Sequence, residues 1–314
     1  MVIGRKRTLG SVYYLKGKFW PHDTTLWVKD FHGNFPRFIY YFLKELNFKN
    51  YDVGSSNPTL NRNHIHLLPV VIPHFQEQKN IAEILSSLDD KIDLLQRQNK
   101  TLEQLAETLF RQWFVEEASE SWGKSVIGNE LETVLGGTPS TTIAEYWDGD
   151  IPWINSGEIN NFRIIEPTRN ITDLGLKKSN TKLLPKGTTV IAITGATLGQ
   201  ISLLEINTCA NQSVVGIIPN EKFPREFVFL WIKYKLEEII LNETGGAQPH
   251  INKNDVNQTE IIIPDIDLMN KSIPILKNHF DKITSNTIQI KQLTQLKDAL
   301  LPKLMSGEVR VIMN

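Results

Sequence analysis

The sequence predicts an α+β fold, in which two mixed α/β domains repeat in tandem. Two long helices separate the domains and pack against each other as an antiparallel coiled coil. Three observations support this prediction: a long helical segment with an apolar period of 3.5, an internal repeat, and short β-branched runs between turn signals.

The first long helix is predicted over residues 76–114, a stretch without Gly or Pro. Its apolar positions recur at alternating steps of four and three, which is the period of a coiled-coil helix. One polar residue, Asn99, interrupts this seam, and a single apolar seam of such length needs a partner. The seam residues are Ile81, Leu85, Leu88, Ile92, Leu95, Asn99, Leu102, Ala106, Leu109 and Trp113.

The partner is predicted by an internal repeat. Residues 54–73, GSSNPTLNRNHIHLLPVVIP, match residues 245–264, GGAQPHINKNDVNQTEIIIP, at a constant offset of 191. The same offset continues without a gap, so that Asp90–Ile92 matches Asp281–Ile283. A second long helix is therefore expected over residues 268–305. Its seam is looser, with His279, Asn286 and Lys297 on the strict register.

The repeat extends upstream with small gaps. Phe35–Arg37 recurs as Phe223–Arg225, and Thr8–Gly10 recurs as Thr197–Gly199 at an offset of 189. Several blocks in the same order indicate a tandem duplication.

The duplication predicts four segments and one gap. Because Met1 aligns with Val190 at the offset of 189, we expect the first repeat to lack the counterpart of residues 122–189. Either the chain is a natural truncation or another polypeptide supplies that part. The predicted segments are a truncated first mixed domain (1–73), a first long helix (74–120), a second mixed domain (121–265) and a second long helix (266–314).

Within the second mixed domain, dense turn signals separate β-branched runs. Residues 188–194, 212–219 and 259–264 are predicted strands. Residues 224–242 show helical spacing after a proline, and residues 36–49 are their twin in the first repeat.

The net charge is close to zero, but basic residues are concentrated in two parts of the sequence. The chain carries 34 Lys and Arg against 35 Asp and Glu, which argues against a simple polybasic nucleic-acid binder. However, residues 1–66 hold ten Lys and Arg against four acids, and residues 162–187 hold six against two. Each run is either a ligand-facing surface or an ordinary solvated face.

The sequence lacks the features of a membrane or disulfide-stabilised protein. No run of about 18 apolar residues is present, so no membrane span is expected. The single cysteine, Cys209, excludes an internal disulfide framework and suits the reducing cytoplasm.

Motifs for catalysis are weak. Gly123–Ser125 resembles the end of a phosphate-binding loop, but Ala118 stands where that loop requires glycine. His64 and His66 lack companion ligands for a metal, so a structural or DNA-facing role is favoured. We therefore expect no catalytic residue, no metal and no cofactor in this chain.

The quoted blocks also resemble a known family. The most specific are residues 136–159 (GGTPST…EYWDGDIPWINSGEI), 195–200 (GATLGQ), 246–256 (GAQPHINKNDV) and 77–92 (EQKNIAEILSSLDDKI). Together they resemble the specificity (S) subunit of type I restriction-modification systems. The chain departs from that pattern in lacking the first part of its first target-recognition domain.

The resemblance implies a non-catalytic subunit that reads a bipartite site on double-stranded DNA. The long helices would set the distance between two reading domains and hold two methyltransferase (M) subunits. Restriction (R) subunits would join in the full complex. S-adenosylmethionine is expected on the partner methyltransferase and not on this chain.

Candidate DNA-binding residues lie in two loops and two Asn-rich turns. Side chains such as Arg read guanine edges or neutralise phosphates, while glycine lets backbone N–H groups come close to phosphate. The alternative for the Asn-rich turns is a local cap. The candidates are Arg5, Lys6, Arg7 and Thr8, then Arg62 and Asn63, then Thr194, Gly195, Thr197 and Gly199, and finally Gln248, Lys253 and Asn254.

Two further pairs carry an expectation. Trp147 and Trp153 are predicted core aromatics in preference to base-stacking platforms. Asn99 and Asn286 are candidates for fixing the helix register, or else both face water.

Three alternatives stay open at the sequence level. The chain could be an inactive or recombination-donor fragment of such a subunit. It could contain an unrecognised nuclease or hydrolase centre within residues 122–264, or it could be a plain coiled-coil interaction protein.

Overall fold

The computed structural model describes residues 1–6, 8–51, 59–241 and 250–311, and of Lys49 only the backbone. Two compact units result, and each combines a mixed domain with part of both long helices. The first unit comprises residues 1–95 and 289–314, and the second comprises residues 96–288. No helix in the described part of the chain is long and apolar enough to cross a membrane.

The mixed domain of the first unit is small. It contains the strands β1 (Val2–Gly4), β2 (Val12–Tyr13) and β3 (Thr25–Trp27), and the helices α1 (Pro36–Glu45) and α2 (Arg62–His66). A 3-10 turn covers Phe48–Tyr51. The strands form an antiparallel sheet in the order β2-β1-β3.

The long helices are α3 (Phe75–Arg111) and α8 (Ile266–Ser306), as predicted within two residues at most ends. A π-helical turn, Gln112–Glu116, extends α3. The predicted seam of α3 is confirmed, because each of its ten residues is buried or half-buried.

The second unit contains the larger mixed domain. Its strands are β4 (Gly123–Val126), β5 (Glu132–Leu135), β6 (Trp147–Ile154), β7 (Arg163–Ile164), β8 (Arg169–Ile171), β9 (Leu183–Leu184), β10 (Thr189–Ala192), β11 (Ile201–Leu204), β12 (Thr208–Ala210), β13 (Val214–Ile218) and β14 (Glu260–Ile263). Its helices are α4 (Ile127–Glu130), α5 (Asp173–Lys177), α6 (Arg225–Ile240) and α7 (Lys253–Gln258). The 3-10 turns are Ala144–Tyr146, Ser156–Asn160 and Gly195–Thr197.

Three sheets organise these strands. A five-stranded sheet has the order β5-β13-β10-β11-β7, a four-stranded sheet has the order β8-β6-β12-β9, and β14 pairs with β4. Residues 188–194, 212–219 and 259–264 were predicted strands, and β10, β13 and β14 confirm them. Gly123–Ser125 lies in β4, so it is a strand and not a phosphate-binding loop.

The three-stranded sheet of the first unit is a smaller copy of the centre of the five-stranded sheet of the second unit. The central strand of each, β1 or β10, has antiparallel neighbours on both sides, and the register is the same. In the first sheet, Val2 pairs with Tyr13 and Trp27, and Ile3 pairs with Val12 and Leu26. In the second, Val190 pairs with Ser202 and Gly216, and Ile191 pairs with Ile201 and Val215. This agreement supports the duplication at the level of backbone pairing.

The register corrects the alignment by one residue. The central strands correspond at an offset of 188, whereas Gly10 and Gly199 correspond at 189, so the loop after β1 is one residue shorter than its twin. Both glycines have a positive φ, 79° and 80° respectively. Arg5 thus occupies the position of Ile193 and not that of Thr194.

The twin helices differ in length. Helix α6 matches the prediction closely, but α1 stops at Glu45, short of the predicted residue 49. Asn47 adopts a left-handed conformation with a φ of 41°, which ends the helix before the 3-10 turn begins.

The long helices contact each other within each unit, and in each the contacts run antiparallel. In the first unit, Leu304 of α8 packs with Ile81 and Leu85 of α3, and Lys297 Nζ lies 2.9 Å from Asp89 Oδ1. In the second unit, Asn286 Nδ2 donates to Asn99 Oδ1 at 2.9 Å. Asn286 is 1% exposed, so the two asparagines meet across the helices and do not both face water.

Candidate nucleic-acid interface

In the second unit, the predicted loop follows β10 directly. A 3-10 turn, Gly195–Thr197, begins after Thr194, and the Thr197 hydroxyl donates to the Thr194 carbonyl at 3.1 Å. Gly199 closes the loop, because its N–H donates to the Ala192 carbonyl at 2.9 Å. The loop is therefore held by hydrogen bonds from one of its side chains and from its backbone.

Gly199 also has a packing role. A Cβ on Gly199 would lie 2.5 Å from Ile240 Cδ1 of α6, and its φ of 80° is unfavourable for other residues. Packing against α6 and the left-handed conformation thus suffice to explain glycine at this position.

The Asn-rich turn lies beside this loop. Thr194 forms an isolated antiparallel bridge with His250, and the Ile251 N–H donates to the Ile193 carbonyl at 3.0 Å. Two residues later the chain enters α7, whose first turn carries Lys253 and Asn254. The structure thus brings six predicted residues together: Thr194, Gly195, Thr197, Gly199, Lys253 and Asn254.

In each Asn-rich turn, one asparagine is a helix cap, as the alternative interpretation predicted. Asn252 accepts from the N–H groups of Asn254 and Asp255, and Asp255 accepts in return from the Asn252 N–H at 2.7 Å. Asn61 caps α2 through a single bond, accepting from the Asn63 N–H at 3.0 Å. Asn63 and Asn254, by contrast, are exposed on the first turn of their helices.

The first unit repeats this arrangement. The Leu60 N–H donates to the Arg5 carbonyl at 2.9 Å, as Ile251 does to Ile193, and α2 follows with Arg62 and Asn63. Lys6 and Thr8 are exposed on the intervening loop. The loop closes tightly on Gly4, where a Cβ would lie 2.0 Å from the Thr8 carbonyl oxygen. Arg7 and Gln248 lie outside the described residues.

A groove of about 1140 Å³ runs beside the loop of the first unit. Arg5 and Arg62 line it, and the Arg5 Nε is buried without a hydrogen-bond partner among the described residues. Sequence reasoning missed three other lining residues, Trp27, Lys29 and His32. Only their position could have indicated them, since Trp27 ends the short strand β3 and the other two follow it. The groove therefore presents cations and one half-exposed aromatic ring, with Asp30 as an acid on its wall.

The predicted core role of Trp147 and Trp153 is confirmed. Both are 6% exposed, and their rings meet edge to face at 5.2 Å. Their Nε1 groups donate to the carbonyls of Ser140 and Gly137, so neither ring is available for base stacking.

A duplicated ion pair fastens each mixed domain to a long helix. Arg37 of α1 lies 3.5 Å from Asp90 of α3, and Arg225 of α6 lies 2.6 Å from Asp281 of α8. In the sequence, these four residues stand out only because they recur in both repeats. The recurrence of both blocks, Phe35–Arg37 and Asp90–Ile92, could have indicated that they contact each other.

The second unit adds a buried cluster around Glu205. Its carboxylate lies 3.7 Å from Arg163 and 3.4 Å from Arg225, and it accepts from the Thr284 hydroxyl of α8 at 2.6 Å. Arg163 is packed among the rings of Phe162, Phe229 and Phe280. Burial lowers the pKa of Arg163 to about 9, although the nearby Glu205 charge opposes that shift.

The described residues contain no group of three or more His, Cys, Asp or Glu that could hold a metal ion. The two sites instead present cations, hydroxyls and amides that are exposed or half-buried, the groups that contact phosphates and base edges.

Comparison with known proteins agrees with this chemistry. The family model described as "Type I restriction modification DNA specificity domain" matches residues 1–104 and 120–295. The MjaIX specificity subunit of a type I restriction enzyme from Methanocaldococcus jannaschii is 27% identical over 305 residues, covering 89% of this chain and 70% of that protein. The HindI specificity subunit from Haemophilus influenzae is 24% identical, covering 80% of this chain and 71% of that protein.

A solved structure supports the fold. The S subunit of a type I restriction-modification system from M. genitalium aligns with all of this chain and 83% of its own, with a TM-score of 0.63 and 17% identity. With the family model covering most of the sequence, the chain belongs to the type I restriction-modification DNA specificity domain family.

Proposed function

We propose that this chain is a non-catalytic DNA-recognition subunit of a type I restriction-modification complex. The observation that carries the proposal is the duplicated pairing of a loop with a capped helix turn, one in each unit. Each pairing offers a cation from the helix turn, Arg62 or Lys253, beside a loop with small or basic residues. Two equivalent sites suit a DNA target with two half-sites.

The two sites would read DNA differently. In the first unit, Arg5, Lys6, Arg7 and Arg62 supply guanidinium and ammonium groups that bind phosphates or guanine edges. In the second unit, Thr194, Thr197 and Asn254 supply neutral hydroxyls and an amide, and Gln248 adds a second amide. The first site therefore depends more strongly on electrostatics than the second.

The long helices would carry the assembly function. We propose that they hold two methyltransferase (M) subunits, and that restriction (R) subunits join the complete complex. The methyltransferase would bind S-adenosylmethionine. Relatives named as specificity subunits of type I restriction enzymes support this assignment.

The test is copurification followed by DNA binding. The chain is coexpressed with a type I methyltransferase subunit from the same genome, and the complex is titrated with fluorescent duplexes at several salt concentrations. We expect stable copurification and methylation of a two-part sequence by the complex. Failure to retain any methyltransferase would contradict the scaffold function, and protection of a single half-site would favour the fragment alternative. Metal-dependent DNA cleavage by the purified chain alone would favour an enzyme.

A further inference from the structure

A short turn, Asn211–Ser213, lies directly beside the candidate loop of the second unit. The Ile193 N–H donates to the Ser213 carbonyl at 2.9 Å, which joins the turn to the residue just before that loop. The Ser213 N–H in turn donates to the Asn211 side-chain oxygen at 3.2 Å and closes the turn. Gln212 at its tip is exposed. An exposed amide that was not among the predicted candidates therefore adjoins the loop.

A second loop, residues 137–142, holds the side chain of Gln212. The Thr138 hydroxyl donates to Gln212 Oε1, which leaves the two side-chain N–H groups as donors for another partner. The Gly137 N–H donates to the Ala210 carbonyl at 2.8 Å, immediately before the turn. The amide is thus held in place as a hydrogen-bond donor.

A third loop, residues 178–182, adds a cation. The Thr181 hydroxyl donates to the same Ala210 carbonyl at 3.4 Å, and a Cβ on Gly137 would lie 2.7 Å from the Thr181 backbone nitrogen. The three loops are therefore in contact. Lys182 follows Thr181 directly and is exposed, so its ammonium group belongs to the same surface as the amide.

The structure also separates the cations of the basic run, residues 162–187. Arg163 is buried among aromatic rings, and Lys186 lies 3.1 Å from the Glu205 carboxylate. Lys182 differs from both, because it forms no ion pair with any residue that the structure describes. Its charge is therefore available to an external anion.

Acidic groups do not oppose this charge within the loops. One acid lies close by, because the turn Ser156–Asn160, which contains Glu158, contacts the turn Gly195–Thr197. The Glu158 carboxylate accepts from the Asn155 N–H at 2.8 Å and from the Thr168 hydroxyl at 2.7 Å, so donors of the domain itself satisfy it. The loop segments that contain no Asp or Glu are residues 136–142, 178–182, 194–199 and 210–213.

We propose that these loops bind the sugar-phosphate backbone of DNA, with Lys182 and Gln212 as phosphate contacts and Thr138 as a positioning residue. Ammonium and amide groups are common partners of phosphate oxygens, and such contacts orient a protein on the duplex without reading its sequence. The inference rests on the proposed function and adds to it a sequence-independent contact beside the candidate loop.

The first unit contains the same turn with a different side chain at its tip. There the Arg5 N–H donates to the Thr24 carbonyl at 3.0 Å, which is the bond that joins turn and loop in the second unit. Asp23 consequently occupies the position of Gln212, and its carboxylate would repel a phosphate. The backbone contact is therefore assigned to the second unit alone.

The test uses the complex of the intact chain with its methyltransferase. Two duplexes are titrated over a range of salt concentrations, one selected by the parent complex from a random library and one of scrambled sequence. Lys182→Ala should weaken binding to both by the same factor and reduce the salt slope by about one, because one phosphate contact is lost. Lys271→Ala removes the same charge from an exposed position on α8 and should leave affinity and slope unchanged.

Gln212→Glu distinguishes backbone contact from base readout. A carboxylate beside a phosphate should weaken binding to every duplex by about tenfold or more, while selection from the library returns the parent sequence. A glutamate facing a base edge would instead favour cytosine at one position, and that result would overturn the proposal.

Thr138→Val tests the positioning role. It should weaken binding of the parent chain but not of the Gln212→Leu variant, because the hydroxyl acts through that amide. Equal losses in both backgrounds would show that Thr138 does not act through Gln212. A parent salt slope in Lys182→Ala would overturn the backbone contact while leaving the proposed function intact, whereas a parent complex without DNA affinity would overturn both.

Discussion

At the residue scale, Glu205 is the group on which the second unit's buried charges depend. It has Arg225, Lys186 and the Thr284 hydroxyl as partners besides Arg163. Arg163, in contrast, has Nε and Nη2 atoms that are buried without hydrogen bonds in the described structure. Replacement of Glu205 and replacement of Arg163 should therefore destabilise the protein to different extents.

We expect Glu205→Gln to lower the free energy of unfolding by about 3–5 kcal/mol, because it leaves the buried guanidinium of Arg163 without its ion-pair partner. Arg163→Met should cost less than about 1.5 kcal/mol, because the remaining cations still neutralise Glu205 and methionine fills the aromatic pocket. Urea denaturation of both variants measures the difference. Equal destabilisation would contradict the assignment of Glu205 as the central group.

The same pair predicts a pH dependence. The folded-state pKa of Arg163 is lowered to about 9, well below that of an exposed guanidinium, so folding disfavours its protonated form. That cost is fully present below pH 9 and declines as the pH rises above about 9. The stability of Arg163→Met relative to the parent protein should be constant between pH 6 and 8 and should fall above pH 9. A relative stability that rises above pH 9 would show the opposite sign.

Lys253 gives the residue-scale test of DNA contact. If it neutralises one phosphate, Lys253→Ala in the methyltransferase complex should weaken binding to all duplexes alike and reduce the salt slope by about one. Lys271→Ala is the control, because it removes the same charge from an exposed position on α8. An unchanged salt slope for Lys253→Ala, or an equal reduction for both variants, would remove Lys253 from the interface.

At the element scale, a polar pair connects the two long helices within their seams. Asn286 donates to Asn99, and Asn99 in turn donates to the Thr287 hydroxyl at 3.3 Å. A buried polar pair of this kind disfavours other registers, since a shifted helix would leave amides unpaired.

We expect Asn286→Ala to lower the free energy of unfolding by about 1–3 kcal/mol, because the Asn99 amide loses its buried partner. The double variant Asn99→Leu with Asn286→Leu should recover most of that stability while losing register specificity. Chemical denaturation measures the first effect, and crosslinking between cysteines placed along the two helices measures the second. A double variant with only the native crosslinks would show that apolar packing alone fixes the register.

The elements themselves were largely predictable, and the reasons are local. The seam of α3 and the proline before α6 act within a few residues, so the sequence indicates them directly. The end of α1 at Glu45 was not predictable, because it depends on Asn47 adopting a left-handed conformation that asparagine only sometimes adopts.

The candidate site was predictable as loops and turns, but the groove beside Arg5 was not. Its walls come from β3 and α2, which are distant in sequence.

At the scale of the whole molecule, the duplication explains both what the two units share and where they differ. The repeat predicted two copies of one plan, and the common strand register confirms it at the level of single residue pairs. At one equivalent position, a polar contact in the first unit is replaced by an aromatic contact in the second. Tyr41 donates to Asp89 at 2.6 Å in the first unit, whereas the matching Phe229 and Phe280 meet edge to face at 5.6 Å in the second.

This comparison predicts unequal local stability of equivalent strands. Strand β1 lies in a sheet with three strands among the described residues, whereas β10 is the centre of a five-stranded sheet. Because local opening requires less free energy where fewer apolar groups and strand neighbours are lost, the Ile3 amide should exchange hydrogen at least about tenfold faster than the Ile191 amide. Native-state hydrogen exchange with mass spectrometry measures both. Segments 81–88 and 276–283 are the controls, since each lies within a buried helix seam, and their protection should be similar. Equal protection of the two strands would mean that the two outer strands β5 and β7 contribute little to the stability of β10.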